Sequence, residues 1–416
     1  MPRRIIALAL IAAVTWAATV KADLSDEART ALDRGDYTAA LRLIQPQAEQ
    51  GDRLAQTNLA HLFRRGLGVP LDHAAAALWY RRAAEQGDAV AQNALGALYG
   101  AGLGVAQDHA EAVAWFRRAA EQGAAEHQFD LAVMYDNGLG VAQDLARAAE
   151  WYGKAATQGF ADADANLGFL YQQGAGVAQD LAKAFELYSR AAAKGNAKAQ
   201  NNLGLLYTRG EGVEQNYALA VDWYRQAAAQ GFAKAITNLG VMYENGFGVK
   251  ADEQEAMRLY RLGGQQESGA GEAVLDRAAF VFDGKLTLRP DARARHFVVA
   301  AQGGDPDAQF TLAYLLASGP EAERDFRGAG QVFRSLAEKG RAAAMANLGL
   351  LTVRGLGVPQ DYVLGYMWFS LAAAGGLAPA ANLRDALAAR MTAAQLNEGQ
   401  QLARQRWRES KAAEPR

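Results

Sequence analysis

From residue 51 to residue 266 the chain repeats itself every 36 residues without an insertion, in six units at 51–86, 87–122, 123–158, 159–194, 195–230 and 231–266. A fixed period of this length belongs to chains in which each unit buries its apolar face only against its neighbours. The constraint outweighs length, since 416 residues would otherwise suggest two or three ordinary domains. A continuous period predicts one array.

The unit 87–122 shows what is encoded. Ala91, Leu95, Leu98 and Tyr99 fall at helical spacings, so the first half of the unit is an amphipathic helix. Gly102 and Gly104 end it, and the same Gly-x-Gly-Val returns in the other five units. One glycine of each pair suits a left-handed helix cap and the other a second tight position. A phosphate-cradling loop is the competing reading, but no strand precedes these glycines and no Lys-Ser/Thr follows. Val105 is an apolar anchor for the loop. Asp108 then caps the second helix, with Glu111 completing a capping-box pattern; Asp72, Asp144, Asp180, Asn216, Asp252 and Asp361 occupy the same place. Capping accounts for these carboxylates without catalysis. Gly96 recurs as Gly168, Gly204, Gly240 and Gly349 inside the first helix, where glycine costs about 1 kcal/mol relative to alanine. That points to close packing. Aromatic pairs such as Trp115-Phe116 and Trp151-Tyr152 near the end of the second helix supply core area, a stronger reading than a sugar-stacking ladder.

Taken together, Ala-x-x-x-Leu-Gly-x-x-Tyr, Gly-x-Gly-Val-x-x-Asp and Ala-x-x-Trp-Tyr-x-x-Ala-Ala resemble the Sel-one-like repeat family, a relative of the tetratricopeptide repeats. The resemblance covers about 51–375. It implies an all-α fold, a right-handed superhelical α/α solenoid of 36-residue helix-loop-helix repeats that binds proteins or peptides. Some cysteine-rich relatives act on β-lactams. This chain has no cysteine, which removes that analogy together with disulfides, thiol catalysis and a lipid-anchored cysteine.

Outside the regular units, residues 1–22 read as a signal peptide: Arg3 and Arg4, an apolar run from Ile5 to about Val20, and Val20-Lys21-Ala22 as a cleavage site, with a retained membrane anchor as the alternative. Periplasmic or secreted localisation follows, with no membrane span after cleavage. Residues 23–50 read as a capping hairpin. In 267–303 the pattern degenerates; helical character is expected around 273–282, and the altered loop at Phe282 to Leu288 is a hinge, a contact site or drift. Two further repeats, 304–339 and 340–375, follow. Residues 376–416 form C-terminal capping helices, in which Leu396, Leu402 and Trp407 cover the last unit, and a basic tail read as solvated.

The formal charge of −2 gives no reason to expect nucleic acid. The five histidines make no ligand-spaced cluster, with His73 and His109 expected to face solvent, and no serine stands in a nucleophile motif. No catalytic residue, metal or cofactor is therefore assigned. In tetratricopeptide-like arrays the first helices line a concave surface, and the resemblance directs attention to their unexplained polar positions: Asn58, Asn166, Asn202, Asn238 and Asn347, with Asp130 as a variant, and the cations Lys198 and Lys234. An amide both donates and accepts, so a row of asparagines suits an extended backbone; bonding within its own repeat is the alternative. The expected function is a non-catalytic protein- or peptide-binding scaffold of the bacterial envelope, monomeric or weakly associated. An envelope hydrolase and a purely structural assembly scaffold are the alternatives.

Overall fold

The computed structural model describes residues 25–267, 275, 278–288 and 293–412. The expected signal peptide lies outside them. Two short helices, α1 (Asp26–Asp33) and α2 (Tyr37–Glu49), precede the helix pairs of the repeats. These are α3 (Arg53–Arg65) with α4 (His73–Glu85), α5 (Ala89–Ala101) with α6 (His109–Glu121), α7 (Ala125–Asn137) with α8 (Leu145–Thr157), α9 (Ala161–Gln173) with α10 (Leu181–Ala193), α11 (Ala197–Arg209) with α12 (Tyr217–Ala229), and α13 (Ala233–Asn245) with α14 (Glu253–Glu267). After a one-turn helix α15 (Val298–Gln302) come α16 (Pro306–Ser318) with α17 (Phe326–Glu338), α18 (Ala342–Arg354) with α19 (Tyr362–Ala374), and the closing helices α20 (Ala378–Ala388) and α21 (Ala393–Ala412). All regular structure among the described residues is helical, an α-solenoid of helix-helix units. They fall into two compact units, one of residues 83–267 and one of residues 25–82 with 275–412.

Five of the pairs are fastened internally by an aromatic ring of the second helix lying on a glycine of the first, and Ala60, Ala132 and Ala313 take the glycine's place in the others. A Cβ added at Gly204 would stand 2.6 Å from Cε1 of Tyr224, and one at Gly349 would stand 2.7 Å from the Phe369 ring. Tyr188, Tyr224 and Phe369 are accordingly buried, and so is Tyr152, whose pair has Ala132 instead. The tyrosine hydroxyls reach the far end of the first helix, Tyr152 donating to Asp136 at 3.0 Å and Tyr188 to Gln172 at 2.9 Å, so the polar tip of each ring is satisfied. Burial pushes both phenols up, which keeps them protonated as donors. The tryptophans are covered from outside by cations one turn on, Arg118 over Trp115 at 4.5 Å and Lys154 over Trp151 at 3.7 Å.

Neighbouring repeats are joined by the loop. Gly102 takes the left-handed C-cap conformation at φ 67. The second glycine has another duty: a Cβ at Gly140 would overlap the carbonyl of His109, so the loop of one repeat presses on the first turn of the preceding repeat's second helix. The expected aspartate caps form, Asp108 accepting from the amides of Ala110 and Glu111 at 2.9 and 3.0 Å. The capping box does not close on Asp108, because its own N–H donates to the carbonyl of Tyr99 at 3.0 Å and ties the loop's two ends together. Between first helices the buried Asn93 amide donates to Asp130 at 2.9 Å, and Asn238 donates to Asn201 at 2.9 Å.

The second unit departs from the pattern in two places. Of the helix expected around 273–282, Leu275 is helical, whereas residues 278–283 run as an irregular segment across α18. The C-terminal helices also meet the first repeat. Arg384 of α20, 3% exposed, donates to the carbonyl of Arg65 at the end of α3, and Arg404 pairs with Asp72 at 3.3 Å. Arg406 stacks over Trp368 at 5.2 Å, so the tail expected to be solvated is in part packing material up to α21's end. Leu402 and Trp407 join the core of Phe333, Met367 and Trp368.

Two expectations for stability follow. Gly204→Ala gains helix propensity but drives its methyl into Tyr224, and it should lower stability by about 1–3 kcal/mol. Gly153→Ala, within α8 and with open space around the new methyl, should raise it by about 0.5–1 kcal/mol. Thermal unfolding of the two variants checks the contrast. Burial also pushes the Asp130 carboxyl from 3.8 up to about 7, against the lowering effect of the Asn93 bond. The native state keeps this proton where the unfolded chain has lost it, so stability falls as pH rises from about 4 to about 7. Asp130→Asn should match the parent below pH 4 and melt at a higher temperature at pH 8. An unchanged melting difference across that range would contradict it.

Candidate peptide-docking face

The first helices of the repeats bring the sequence-selected polar residues to one recurring place, yet their surroundings differ. In the unit of residues 83–267, Asn166, Asn202 and Asn238 are half-buried on α9, α11 and α13, while Lys198 and Lys234 are exposed. Lys198 donates to the Asn166 carbonyl oxygen at 2.6 Å. Asn201 donates to the oxygen of Asn202 at 3.2 Å, and Asn238 donates to Asn201. Asn166 and Asn202 also stand within hydrogen-bonding reach of the Tyr152 and Tyr188 hydroxyls. Much of the amide capacity thus serves the joints between repeats. Each of the three residues nevertheless keeps part of its surface exposed.

In the other unit the two remaining asparagines are fully buried. Asn58 donates to the carbonyl of Leu54 one turn back at 2.9 Å. Asn347 does what an isolated repeat cannot: its Oδ1 accepts from the N–H of Val281 at 2.7 Å and its Nδ2 donates to the C=O of Val281 at 2.9 Å. One amide reaches both groups of a residue only where they point the same way, as they do in extended backbone. Arg354, one helical face along from Asn347, donates to the carbonyls of Leu275 and Ala278. Arg341 donates to Asp283 at 2.9 Å and to the carbonyl of Pro306 at 2.8 Å, both side chains of the Arg341–Asp283 pair being largely shielded from water.

Sequence reasoning weighed the polar residues of this face and missed an apolar row beside them. Three residues after each asparagine, one turn along the same side of the helix, stand Phe169, Leu205 and Val241, preceded by Val133 in the repeat that carries Asp130. Phe169 is 45% and Val241 40% exposed, and Val133 and Leu205 are half-buried. At the equivalent places in the other unit, Tyr314 meets the edge of the Phe282 ring at 4.9 Å, and Leu350 is fully buried in a core that includes Leu275 and Phe280. The signal was legible as a period of large apolar residues outside the core stripe.

Catalytic chemistry finds no footing on this face. No group of three or more His, Asp or Glu among the described residues is placed to hold a metal ion. His73 and His109, expected to face solvent, are half-buried with Nδ1 enclosed, His109 because the glycine loop of the next repeat presses on its carbonyl. Burial and the nearby Arg64 and Arg384 hold His73 down to about 4, so it is uncharged at neutral pH. No described helix is long and apolar enough to cross a membrane.

The comparisons with known proteins fit this geometry. The Sel1 repeat matches residues 53–88, 89–123, 125–160, 161–196, 197–232, 233–268 and 342–377, which is more than half of the chain. Residues 269–341, which include the irregular segment, go unmatched. The solved structure of a protective antigen present in uropathogenic Escherichia coli strains is 30% identical, with a TM-score of 0.53 over 99% of this chain and 98% of that one. A Sel1 repeat protein from Oxalobacter formigenes is 31% identical, with a TM-score of 0.54 over 57% of this chain and 97% of that one. No curated protein is significantly similar. On the repeats it matches and the helix pairs they form, the chain belongs to the Sel1 repeat family.

Proposed function

We propose that this non-catalytic protein- or peptide-binding scaffold works in the bacterial envelope, and that its docking face is the first-helix face of α7, α9, α11 and α13. The observation that supports the face is the pairing of two rows on it. Phe169 and Val241 offer exposed apolar surface and Val133 and Leu205 half-buried apolar surface, and Asn166, Asn202 and Asn238 set an amide beside it. An extended peptide has the matching demand: apolar side chains to bury and backbone groups to satisfy at regular intervals. Packed helices lie about 8–10 Å apart, close to the length of three extended residues, so successive repeats meet a partner about every third residue. Lys198 and Lys234 add positive charge at the rim and favour a partner with acidic groups there.

Export to the envelope rests on the amino-terminal pattern of Arg3 and Arg4, an apolar run and Val20-Lys21-Ala22. Kinship with a protective antigen of uropathogenic strains agrees with a location outside the cytoplasm.

The face is tested by affinity capture from an envelope extract, using the chain from Asp23 onward and a variant carrying Phe169→Glu and Leu205→Glu. Both substituted side chains are at least partly solvent-facing, so helicity by circular dichroism should be retained. Partners held by the parent should be lost from the variant. Equal recovery by both would reject this face and leave the scaffold itself standing.

A further inference from the structure

The repeats at 304–375 already hold a peptide, and it belongs to the chain itself. Leu275, which is helical, and the irregular residues 278–283 lie against these repeats: Arg354 grips the carbonyls of Leu275 and Ala278, Asn347 takes both backbone groups of Val281, and Phe282 packs edge-on against Tyr314 at 4.9 Å. Phe280 and Phe282 flank the residue held by the amide; the Arg354 guanidinium lies 5.7 Å from the Phe280 ring. Leu350 is buried in the same core as Leu275 and Phe280.

Three of these side chains recur on the other unit at one constant offset in the sequence, and a fourth returns as another aromatic. Asn347, Leu350 and Arg354 of α18 correspond to Asn202, Leu205 and Arg209 of α11, and Tyr314 of α16 corresponds to Phe169 of α9. No other repeat within residues 83–267 has this set: the places of Asn202, Leu205 and Arg209 are held by Asn166, Phe169 and Gln173 in one repeat and by Asn238, Val241 and Asn245 in another. Here Phe169 is 45% exposed and Leu205 half-buried, whereas Leu350 is fully buried. Arg209 makes only a long, exposed contact with Glu211 at 3.7 Å, which costs little to exchange.

Resting on the docking face proposed above, we infer that Phe169, Asn202, Leu205 and Arg209 form a binding site for an extended peptide of the pattern aromatic–aliphatic–aromatic, of which residues 278–282 are the internal template. The amide of Asn202 takes the backbone N–H and C=O of the aliphatic residue. Arg209 takes carbonyls three to six residues before it. The second aromatic ring stacks on Phe169. The acid that follows in the template is not selected, because the place of Arg341 is held by Asn196, which donates instead to Asp162 at 2.7 Å.

The test uses a fluorescently labelled peptide of residues 275–286 titrated into the chain from Asp23 onward, read by anisotropy. The resident segment competes from within the same chain at an effective concentration of order mM, so added peptide at micromolar levels reports on the open site. Saturable binding is expected, weakened about fivefold to tenfold by Asn202→Ala and by Arg209→Ala. Asn347→Ala should leave the affinity unchanged. A peptide with Phe280→Ala and Phe282→Ala should lose binding, a readout that does not depend on any protein variant folding, whereas a peptide with Asp283→Asn should bind as well as the parent. Absence of saturable binding, indifference to Asn202→Ala and Arg209→Ala, or binding that appears only with Asn347→Ala would overturn the assignment. Failure here while Phe169→Glu with Leu205→Glu still abolishes envelope capture would reject this ligand pattern and keep the docking face.

Discussion

The contact on which the rest depends is an aromatic ring of one helix against a missing side chain of its partner. Gly168, Gly204, Gly240 and Gly349 remove the methyl that would collide with Tyr188, Tyr224, Tyr260 and Phe369. The helices of a pair therefore close on a flat ring, and the ring's hydroxyl, where there is one, lands on a polar group at the end of the first helix. The first helix spends its core-facing residues on this joint and on the preceding repeat. Its remaining face is released from packing, and that is where the amides and the apolar row stand.

The fold was legible because every repeated feature had a local cause. A glycine pair, a capping aspartate and an aromatic pair act over fewer than 36 residues, and their recurrence separates packing roles from chemistry. Asp108 and Gly102 were readable as a cap and a helix stop from their neighbours alone. The fate of Asn347 was not, since its partner Val281 lies 66 residues earlier in a stretch with helical spacing. That stretch has Ala278 and Ala279 but also the run Phe280-Val281-Phe282, and tertiary hydrogen bonds and ring contacts on α18 and α16 override a weak helical preference. Half-burial of His73 and His109 was likewise hidden, because it comes from loops and helices outside their own repeat.

The asparagines show why a recurring residue need not have one role. Asn166 accepts from a lysine, Asn202 and Asn238 join a polar relay through Asn201, and Asn347 embraces a backbone. All use the same property, a donor and an acceptor on one planar group. What distinguishes them is whether something extended lies alongside.

The bond from Arg384 to the carbonyl of Arg65 joins residues 319 apart in the sequence. Solenoids are otherwise built from near-neighbour contacts, and such chains nucleate in many places and fold as they emerge. Here the end of α3, with Asp72 close by, has partners on α20 and α21, which are synthesised much later. The first repeat cannot reach its final surroundings on a growing chain. Loss of α20 and α21 would therefore be felt at the first repeat, and completion of the second unit is postponed until both helices have been made.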